Sequence, residues 1–224
     1  MSNILAIDTS NSQCSVALNR DGDIQSAICT QARQHARRLL PMIDEILIQS
    51  GLTLEDLDAI AFVNGPGSFT GLRIGAGVAQ GLAFGANLPV LALSTLAVMA
   101  HKARQQVALE YFLVSMQARE NEVYFGAYQF VAGDMCLLGK EKVCSPESCE
   151  IPDVMPKDSC CAVGDGWRES PSLMACSAYV SQTLDNCEAD AISLSQLAQI
   201  RFAAGEAGDP ALGLPVYLKE QMDY

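Results

Sequence analysis

Histidine is scarce in this sequence, which contains only His35 and His101. Neither has a cysteine or a carboxylate at the spacing that metal ligands need, and the sequence has no H-E-x-x-H motif and no Gly-x-Ser-x-Gly elbow. No cysteine has a local partner that would make it a thiolate nucleophile. We therefore predict no metal site and no catalytic residues of the chain's own. Both histidines are expected to be ordinary surface or helix-end residues.

Basic residues are also few. Lysine and arginine number 14 against 26 acidic residues, and the net charge is −12. Such a charge opposes unaided binding to nucleic acid or to an anionic membrane. Any role on RNA would therefore need a basic partner.

The nine cysteines include no C-x-x-C pair. Cys160 and Cys161 are adjacent, Cys144 and Cys149 are five residues apart, and neither spacing matches a zinc site. After Ser2 the chain enters an apolar run without the basic segment of a secretory leader. We therefore expect reduced thiols and a cytoplasmic protein.

A long uninterrupted apolar run is missing too. Between Asp58 and Lys102 the only charged residue is Arg73, but polar residues, many glycines and Pro89 interrupt the stretch. A buried strand, helix and strand explain this stretch better than a helix that crosses a bilayer, so we predict no membrane association.

What the sequence does contain is glycine, concentrated between residues 64 and 85. An apolar strand is predicted at residues 59–63, and Gly65-Pro66-Gly67 forms a sharp turn after it. A helix then begins, with Ser68 or Thr70 as its N-cap. A glycine-rich turn that leads into a helix N-terminus favours an anion.

Neither common phosphate motif fits this stretch. The P-loop pattern fails because Leu72 follows Gly71, and the dinucleotide fingerprint fails because its third glycine falls one residue late. The acid and hydroxyls after the first strand could contact phosphate or magnesium, although an ordinary polar turn is the alternative. The predicted phosphate or nucleotide contacts are Asp8, Thr9, Ser10, Gly65, Gly67 and Ser68.

Small residues recur every four positions along the helix that follows. One row is Gly71, Gly75, Ala79 and Ala83, and the other is Gly77, Gly81 and Gly85. Each glycine in a helix costs about 1 kcal/mol relative to alanine, and residues four apart share a face. Two interpretations stay open: close packing on the protein's own sheet, or a smooth face that meets a second chain.

The order of the other predicted elements indicates a mixed sheet covered by helices. Three antiparallel strands are predicted at residues 3–7, 14–18 and 24–29, with an Asp21-Gly22 hairpin turn between the last two. A helix at His35–Ser50, ended by Gly51, precedes the glycine-rich segment, and a strand at residues 89–93 and a helix from Ser94 follow it.

A second, smaller domain is predicted to begin after residue 103. Its expected elements are paired strands at residues 111–116 and 122–128, a long loop at residues 144–159 and a strand at residues 162–167. Ser193 is predicted to cap the last helix. The domain boundaries are therefore 1–103, joined by 193–224, and 104–192.

Three motifs together resemble the bacterial TsaB (YeaZ) family. They are Ile7-Asp8-Thr9-Ser10, the segment His35-x-x-x-Leu39-Leu40-Pro41, and Gly65-Pro66-Gly67-Ser68-Phe69-Thr70-Gly71-Leu72-Arg73-Ile74-Gly75. Beyond about residue 100 the match is looser and rests on residues 164–167 and 215–218. The resemblance implies an α/β, two-domain actin/hexokinase/Hsp70-like (ASKHA) fold, with mixed sheets flanked by helices and a reduced second domain.

The resemblance also implies a role in forming N6-threonylcarbamoyladenosine next to the anticodon of tRNAs. The chain would be a non-catalytic partner of the TsaD-type transferase, joined by the ATPase TsaE, and would form a homodimer when alone. It would meet tRNA only through the complex, and ATP or ADP could bind at the partner interface. The implied interface residues are His35, Leu39, Leu40, Ile43, Gly71, Ile74, Gly75 and Val78.

Two other functions are alternatives. A small-molecule kinase of the same superfold would need a catalytic carboxylate, for which Asp165 is the candidate. A metalloprotease is disfavoured: TsaD-like chains place two metal-binding histidines four residues apart after the strand equivalent to residues 89–93, and Thr95 and Met99 stand there in this chain.

Overall fold

A five-stranded sheet forms the centre of the first of two structural units. The computed structural model describes residues 2–31, 34–119, 121–169 and 171–218. The first unit comprises Met1–Thr95 and Ala189–Val216, and the second comprises Leu96–Glu188 and Tyr217–Tyr224. The division thus falls earlier than residue 103, and the returning segment starts before residue 193. Residues 219–224 of that predicted segment lie outside the described residues.

The first sheet begins with the predicted antiparallel meander. Strands β1 (Asn3–Asp8), β2 (Cys14–Arg20) and β3 (Asp23–Cys29) pair in sequence, and β4 (Ala59–Gly65) and β5 (Val90–Ser94) add in parallel on the other side of β1. The tight turn between β2 and β3 has positive φ at Asp21 and Gly22, as the Asp-Gly pair predicts.

Helices α1 (His35–Ser50) and α2 (Phe69–Ala86) contact each other and share one core with the sheet. Alternate strand residues such as Ile7, Val16 and Leu18 belong to that core. Helix α5 (Ala191–Ala203) packs on β1 and β2, where Ser15 Oγ accepts the Ala191 N–H at 2.9 Å. Successive side chains of a strand point to opposite faces, so Ser15 and Val16 lie on different faces of the sheet. Helices α1 and α2 therefore cover one face, and α5 covers the other.

Helix α1 has the predicted bounds. Gly51 ends it in the left-handed conformation, with φ of 70°. Pro41 lies inside the helix. Helix α5 differs from the prediction: its N-cap is Asp190, whose carboxylate accepts the Ser193 N–H at 2.7 Å, so Ser193 lies within the first turn and is not the cap.

The second unit contains a six-stranded sheet. Its elements are α3 (Thr95–Gln106), β6 (Tyr111–Gln117), β7 (Val123–Val131), β8 (Asp134–Leu137), β9 (Lys142–Cys144), β10 (Cys160–Val163), α4 (Gly166–Glu169) and β11 (Val180–Leu184). The strand order is β11-β10-β6-β7-β8, and β9 also pairs with β7. Strands β8, β9 and β11 were not predicted, and Trp167 lies in α4, not at the end of a strand. Trp167 Nε1 donates to the Leu113 carbonyl at 3.0 Å.

Histidine 101 departs from the expectation of a surface or helix-end residue. It lies in the middle of α3 with 8% of its surface exposed, and its Nδ1 has no hydrogen-bond partner among the described residues. Burial lowers the pKa of His101 from its usual 6.5, and the nearby Asp134 charge opposes that shift. The neutral ring is therefore the form that the native fold favours.

In the described part of the chain, none of the helices is long and apolar enough to cross a membrane.

The burial of His101 predicts a specific pH dependence of stability. A lowered native pKa means that the unfolded chain binds a proton first, so stability should fall as the pH drops below about 6.5 and the unfolded imidazole becomes charged. His101→Gln should reduce this loss. Thermal unfolding of both proteins between pH 7.5 and 5.5 measures this loss of stability. That pH range lies above the titration of exposed carboxylates. An equal drop in Tm for both proteins would contradict the prediction.

Candidate partner-binding face and anion-binding loop

The glycine-rich loop packs directly on the loop between β1 and β2. The Ser68 N–H donates to the Ser10 carbonyl at 2.7 Å, and Thr9 Oγ1 donates to the Gly71 carbonyl at 2.8 Å. Ser68 is the N-cap of α2, and its Oγ accepts the Gly71 N–H at 3.3 Å. Of the two predicted N-cap residues, the structure therefore selects Ser68.

This contact explains the first row of small residues on α2. A Cβ at Gly71 would overlap the Thr9 carbonyl oxygen, and one at Gly75 would overlap Thr9 Oγ1. A Cβ at Gly67 would lie 2.5 Å from the Ser10 carbonyl oxygen. Gly71 and Gly75 are thus buried against the protein's own loop, and their assignment to a partner interface is corrected.

The predicted phosphate contacts come together in part. Asp8, Thr9 and Ser10 are each 1% exposed, and Asp8 Oδ1 accepts the Ser10 N–H at 2.8 Å. Gly67 and Ser68 lie against Ser10, whereas a Cβ at Gly65 would instead meet the Val216 carbonyl oxygen at 2.6 Å.

The electrostatics of this loop are mixed. The Ser68 and Gly71 amides are already bonded within the chain, and the buried Asp8 carboxylate would repel a phosphate. Ser10 Oγ, in contrast, is buried and has no hydrogen-bond partner among the described residues. Anion binding at this loop stays a prediction.

The second row of glycines has the opposite environment. A Cβ at Gly77, Gly81 or Gly85 would meet nothing within 4 Å. Phe84, on the same face, is 77% exposed. A groove of about 530 Å³ runs along this face and is lined by Gln80, Gly81, Phe84, Gly85, Pro210 and Ala211. Packing inside the described first unit therefore does not explain these three glycines.

Helix α1 contributes fewer surface residues than predicted. Leu39 and Ile43 lie in the core with at most 1% exposure, so they offer no surface to a partner and their assignment to the interface is corrected. Leu40 is 46% exposed, and the unpredicted Ile48 is also exposed. His35 is half-buried, and its Nε2 lies 3.1 Å from the Asn11 and Gln13 carbonyl oxygens, which it joins as a donor.

Two residues at the border of the open face remain consistent with the predicted interface. Ile74 and Val78 are half-buried and pack against the first core. Ile74 lies three positions before Gly77, and Val78 lies three positions before Gly81, so each neighbours one of these glycines on the helix surface.

The residues named for the alternative functions lie elsewhere. The Asp165 carboxylate is exposed and accepts the Gln117 N–H at 2.9 Å. Thr95 and Met99 are both buried on α3. Within the described ranges, no group of three His, Cys, Asp or Glu side chains is placed to hold a metal ion.

Comparisons with known proteins agree with the fold and its motifs. The family model "TsaD: tRNA N6-adenosine threonylcarbamoyltransferase" matches residues 27–202. A protein of Haemophilus influenzae named "tRNA threonylcarbamoyladenosine biosynthesis protein TsaB" is 38% identical over 99% of this chain and 95% of its own length. Its namesake in Escherichia coli is 37% identical over 98% and 95%. The chain belongs to the TsaB family.

A solved structure supports this membership. The structure "YeaZ from Pseudomonas aeruginosa" is 40% identical, with a TM-score of 0.88, and the match covers 97% of this chain and all of that chain. Together with the two mixed sheets and their helices, it confirms the predicted α/β, ASKHA-like fold of the TsaB family.

Sequence reasoning missed the exposed side chains that line the open glycine row. Phe84 and the returning loop at Pro210–Leu212 were not assigned to any site. A signal was present, because Phe84 lies seven residues after Gly77 and so shares its helix face. The position of the returning loop had no such signal, because it depends on contacts over more than 100 residues of chain.

The two glycine rows predict opposite effects of one substitution. Gly71→Ala should lower the free energy of unfolding by about 2 kcal/mol, because the added methyl group overlaps the Thr9 backbone. Gly77→Ala should raise it by up to about 1 kcal/mol, because its Cβ meets only open space and alanine favours the helix. Urea unfolding followed by circular dichroism measures both. Equal effects would contradict the division of α2 into a buried row and an open row.

Proposed function

We propose that this chain is a non-catalytic partner of the TsaD-type transferase in the formation of N6-threonylcarbamoyladenosine next to the anticodon of tRNAs. Membership of the TsaB family supports the pathway, because its curated members are named for tRNA threonylcarbamoyladenosine biosynthesis. The observation that carries the partner role is the open row of Gly77, Gly81 and Gly85.

The energetic cost of this row argues for a partner. Gly77 and Gly81 lie in the interior of α2 and together cost about 2 kcal/mol relative to alanine, whereas Gly85 is its penultimate residue. At Gly71 and Gly75 the close approach of Thr9 offsets that cost, but nothing in the described first unit does so at the open row. In the complex, a second backbone or helix that packs closely on α2 would offset this cost.

The composition of the surrounding surface suits an obligate contact. Phe84 is among the most exposed aromatic residues, and Leu40 and Ile48 of α1 are exposed as well. Aromatic and aliphatic side chains that surround a smooth strip provide the anchors that interfaces use. We therefore place the heterodimer face on Leu40, Ile74, Val78 and the open glycine row.

The relation to TsaD favours that protein as the partner. The TsaD family model matches residues 27–202, which include both α1 and α2. Related chains can pair through the same helices about a two-fold axis, and the same face would serve a homodimer when TsaD is absent. The two dimers would then exclude each other.

The proposal leaves catalysis and most RNA contacts to the partner. Thr95 has a hydroxyl group and Met99 a thioether where the resemblance places metal-binding histidines in TsaD-like chains. The net charge of −12 opposes direct binding to tRNA. We further propose that ATP or ADP binds at the joint interface and that the TsaE-type ATPase joins there.

One substitution tests the face. Gly77→Trp should leave the monomer folded, because a Cβ there meets nothing within 4 Å, but it should weaken binding to TsaD by about a hundredfold. Light scattering on a sizing column measures the mixture, with circular dichroism as the test of folding. Lys157→Trp, which places the same side chain on an exposed loop of the second unit, is the matched control.

The possible results separate the interpretations. A folded Gly77→Trp variant that still forms the complex would show that the face is wrong. A misfolded variant would indicate that the row is packed internally. If the wild-type proteins elute separately, with and without ATP and TsaE, the partner role itself is refuted.

A further inference from the structure

Two thiols of the second unit lie in contact across a short turn. Cys144 ends β9, and Cys149 follows the 3-10 turn at Pro146–Ser148. Their Sγ atoms are 3.6 Å apart. A third thiol, Cys176, is buried in the same hydrophobic cluster.

The turn holds the two thiols in this position. The Ser148 N–H donates to the Ser145 carbonyl at 2.9 Å, and the Cys149 N–H donates to the Pro146 carbonyl at 3.4 Å. The side-chain oxygens of Ser145 and Ser148 are 3.0 Å apart. These bonds hold the backbone at both ends of the turn, so the backbone positions of the two cysteines are fixed relative to each other.

We propose that Cys144 and Cys149 are a modification site at which a peroxide forms a reversible disulfide. The sulfur atoms must approach from contact distance to about 2.05 Å, which rotation about the two Cα–Cβ bonds can supply. The inference does not depend on the role in tRNA modification.

The reaction balances with hydrogen peroxide as the oxidant. One thiol releases its proton, and the thiolate attacks a peroxide oxygen. The O–O bond breaks, and the products are a sulfenic acid and a hydroxide, which takes up the released proton to become water. The second thiol attacks that sulfur, the S–O bond breaks, and a second water leaves. The two sulfurs together lose two electrons, and the peroxide is reduced to two waters.

Both thiols of the pair are half-buried, whereas most of the other cysteines are fully buried. Burial, followed by the proximity of Cys144, raises the pKa of the Cys149 thiol. The two thiols are in contact, so either can form the sulfenic acid and the other can resolve it. Burial likewise raises the pKa of Cys14 and of Cys161 to about 12, and both thiols lie in the two cores.

The cross-link would have a local structural effect. Cys144 pairs with Val123 at the end of the β7–β9 ladder, so a bond to Cys149 would fix the turn to the edge of the sheet. The Lys142–Glu150 ion pair already brackets the same turn at 2.9 Å, but it is largely exposed and contributes little.

The test uses the full chain and hydrogen peroxide. After oxidation, free thiols are alkylated in denaturant, and peptides are mapped by mass spectrometry. Labelling of Cys144 and Cys149 should be lost about tenfold faster than that of Cys14, Cys29, Cys160 and Cys161, and dithiothreitol should restore it. The mapped peptide should have lost two hydrogens.

Two variants keep the test decisive. Cys149→Ser should abolish the cross-link, while Cys136→Ser, which changes a half-buried thiol on β8, should leave it intact. Circular dichroism checks that both fold. Persistent labelling of both Cys144 and Cys149, oxidation of Cys144 to sulfinic acid without a cross-link, or a bond from Cys144 to Cys176 would each overturn the proposal.

Discussion

The contact between Thr9 and the first turns of α2 is the constraint on which the first unit depends. It places a buried polar loop under a helix whose residues there can only be glycine, because any Cβ at Gly71 or Gly75 would overlap Thr9. The Ser68 amide and cap bonds complete the junction. As a result, the start of α2, the end of β4 and the loop between β1 and β2 have fixed positions relative to one another, and α1 packs on the helix so placed.

The same helix has two rows of small residues in opposite environments. The row at Gly71 and Gly75 is explained within the chain, since Thr9 fills the space that side chains would need. The row at Gly77, Gly81 and Gly85 faces open space beside Phe84 and the loop at Pro210–Leu212. The two interpretations of the glycine pattern are therefore not exclusive. Internal packing describes one side of α2, and the interface is proposed for the open side alone.

Local signals explain which parts of the fold could be predicted. The Asp21-Gly22 turn, the Gly51 helix end and the Ser68 cap each act through the backbone of a few neighbouring residues, so their patterns were sufficient. Strands β9 and β11 lacked such signals, because short strands acquire their structure from the strands they pair with. The Ala132-Gly133 turn before β8, with positive φ at both residues, was a hairpin signal that was missed.

The candidate site was harder to predict, for a related reason. The apolar stripe of α1 was clear, but a stripe does not tell which of its residues the core covers completely. Leu39 and Ile43 at its centre are buried, whereas Leu40 at its edge stays exposed. The burial of His101 likewise depends on packing in the second unit, and the sequence of its own helix does not predict that packing.

The return of the chain at Ala189–Val216 has a consequence for synthesis on the ribosome. Helix α5 covers the face of the first sheet that Ser15 and Asn19 occupy, yet it is made after the whole of β6 to β11. Once residues up to about 190 have emerged from the ribosome, the second sheet can thus be complete while the first sheet still has one bare face. A chaperone that binds during translation should therefore bind the exposed face of the first sheet. It should dissociate only after helix α5 has emerged.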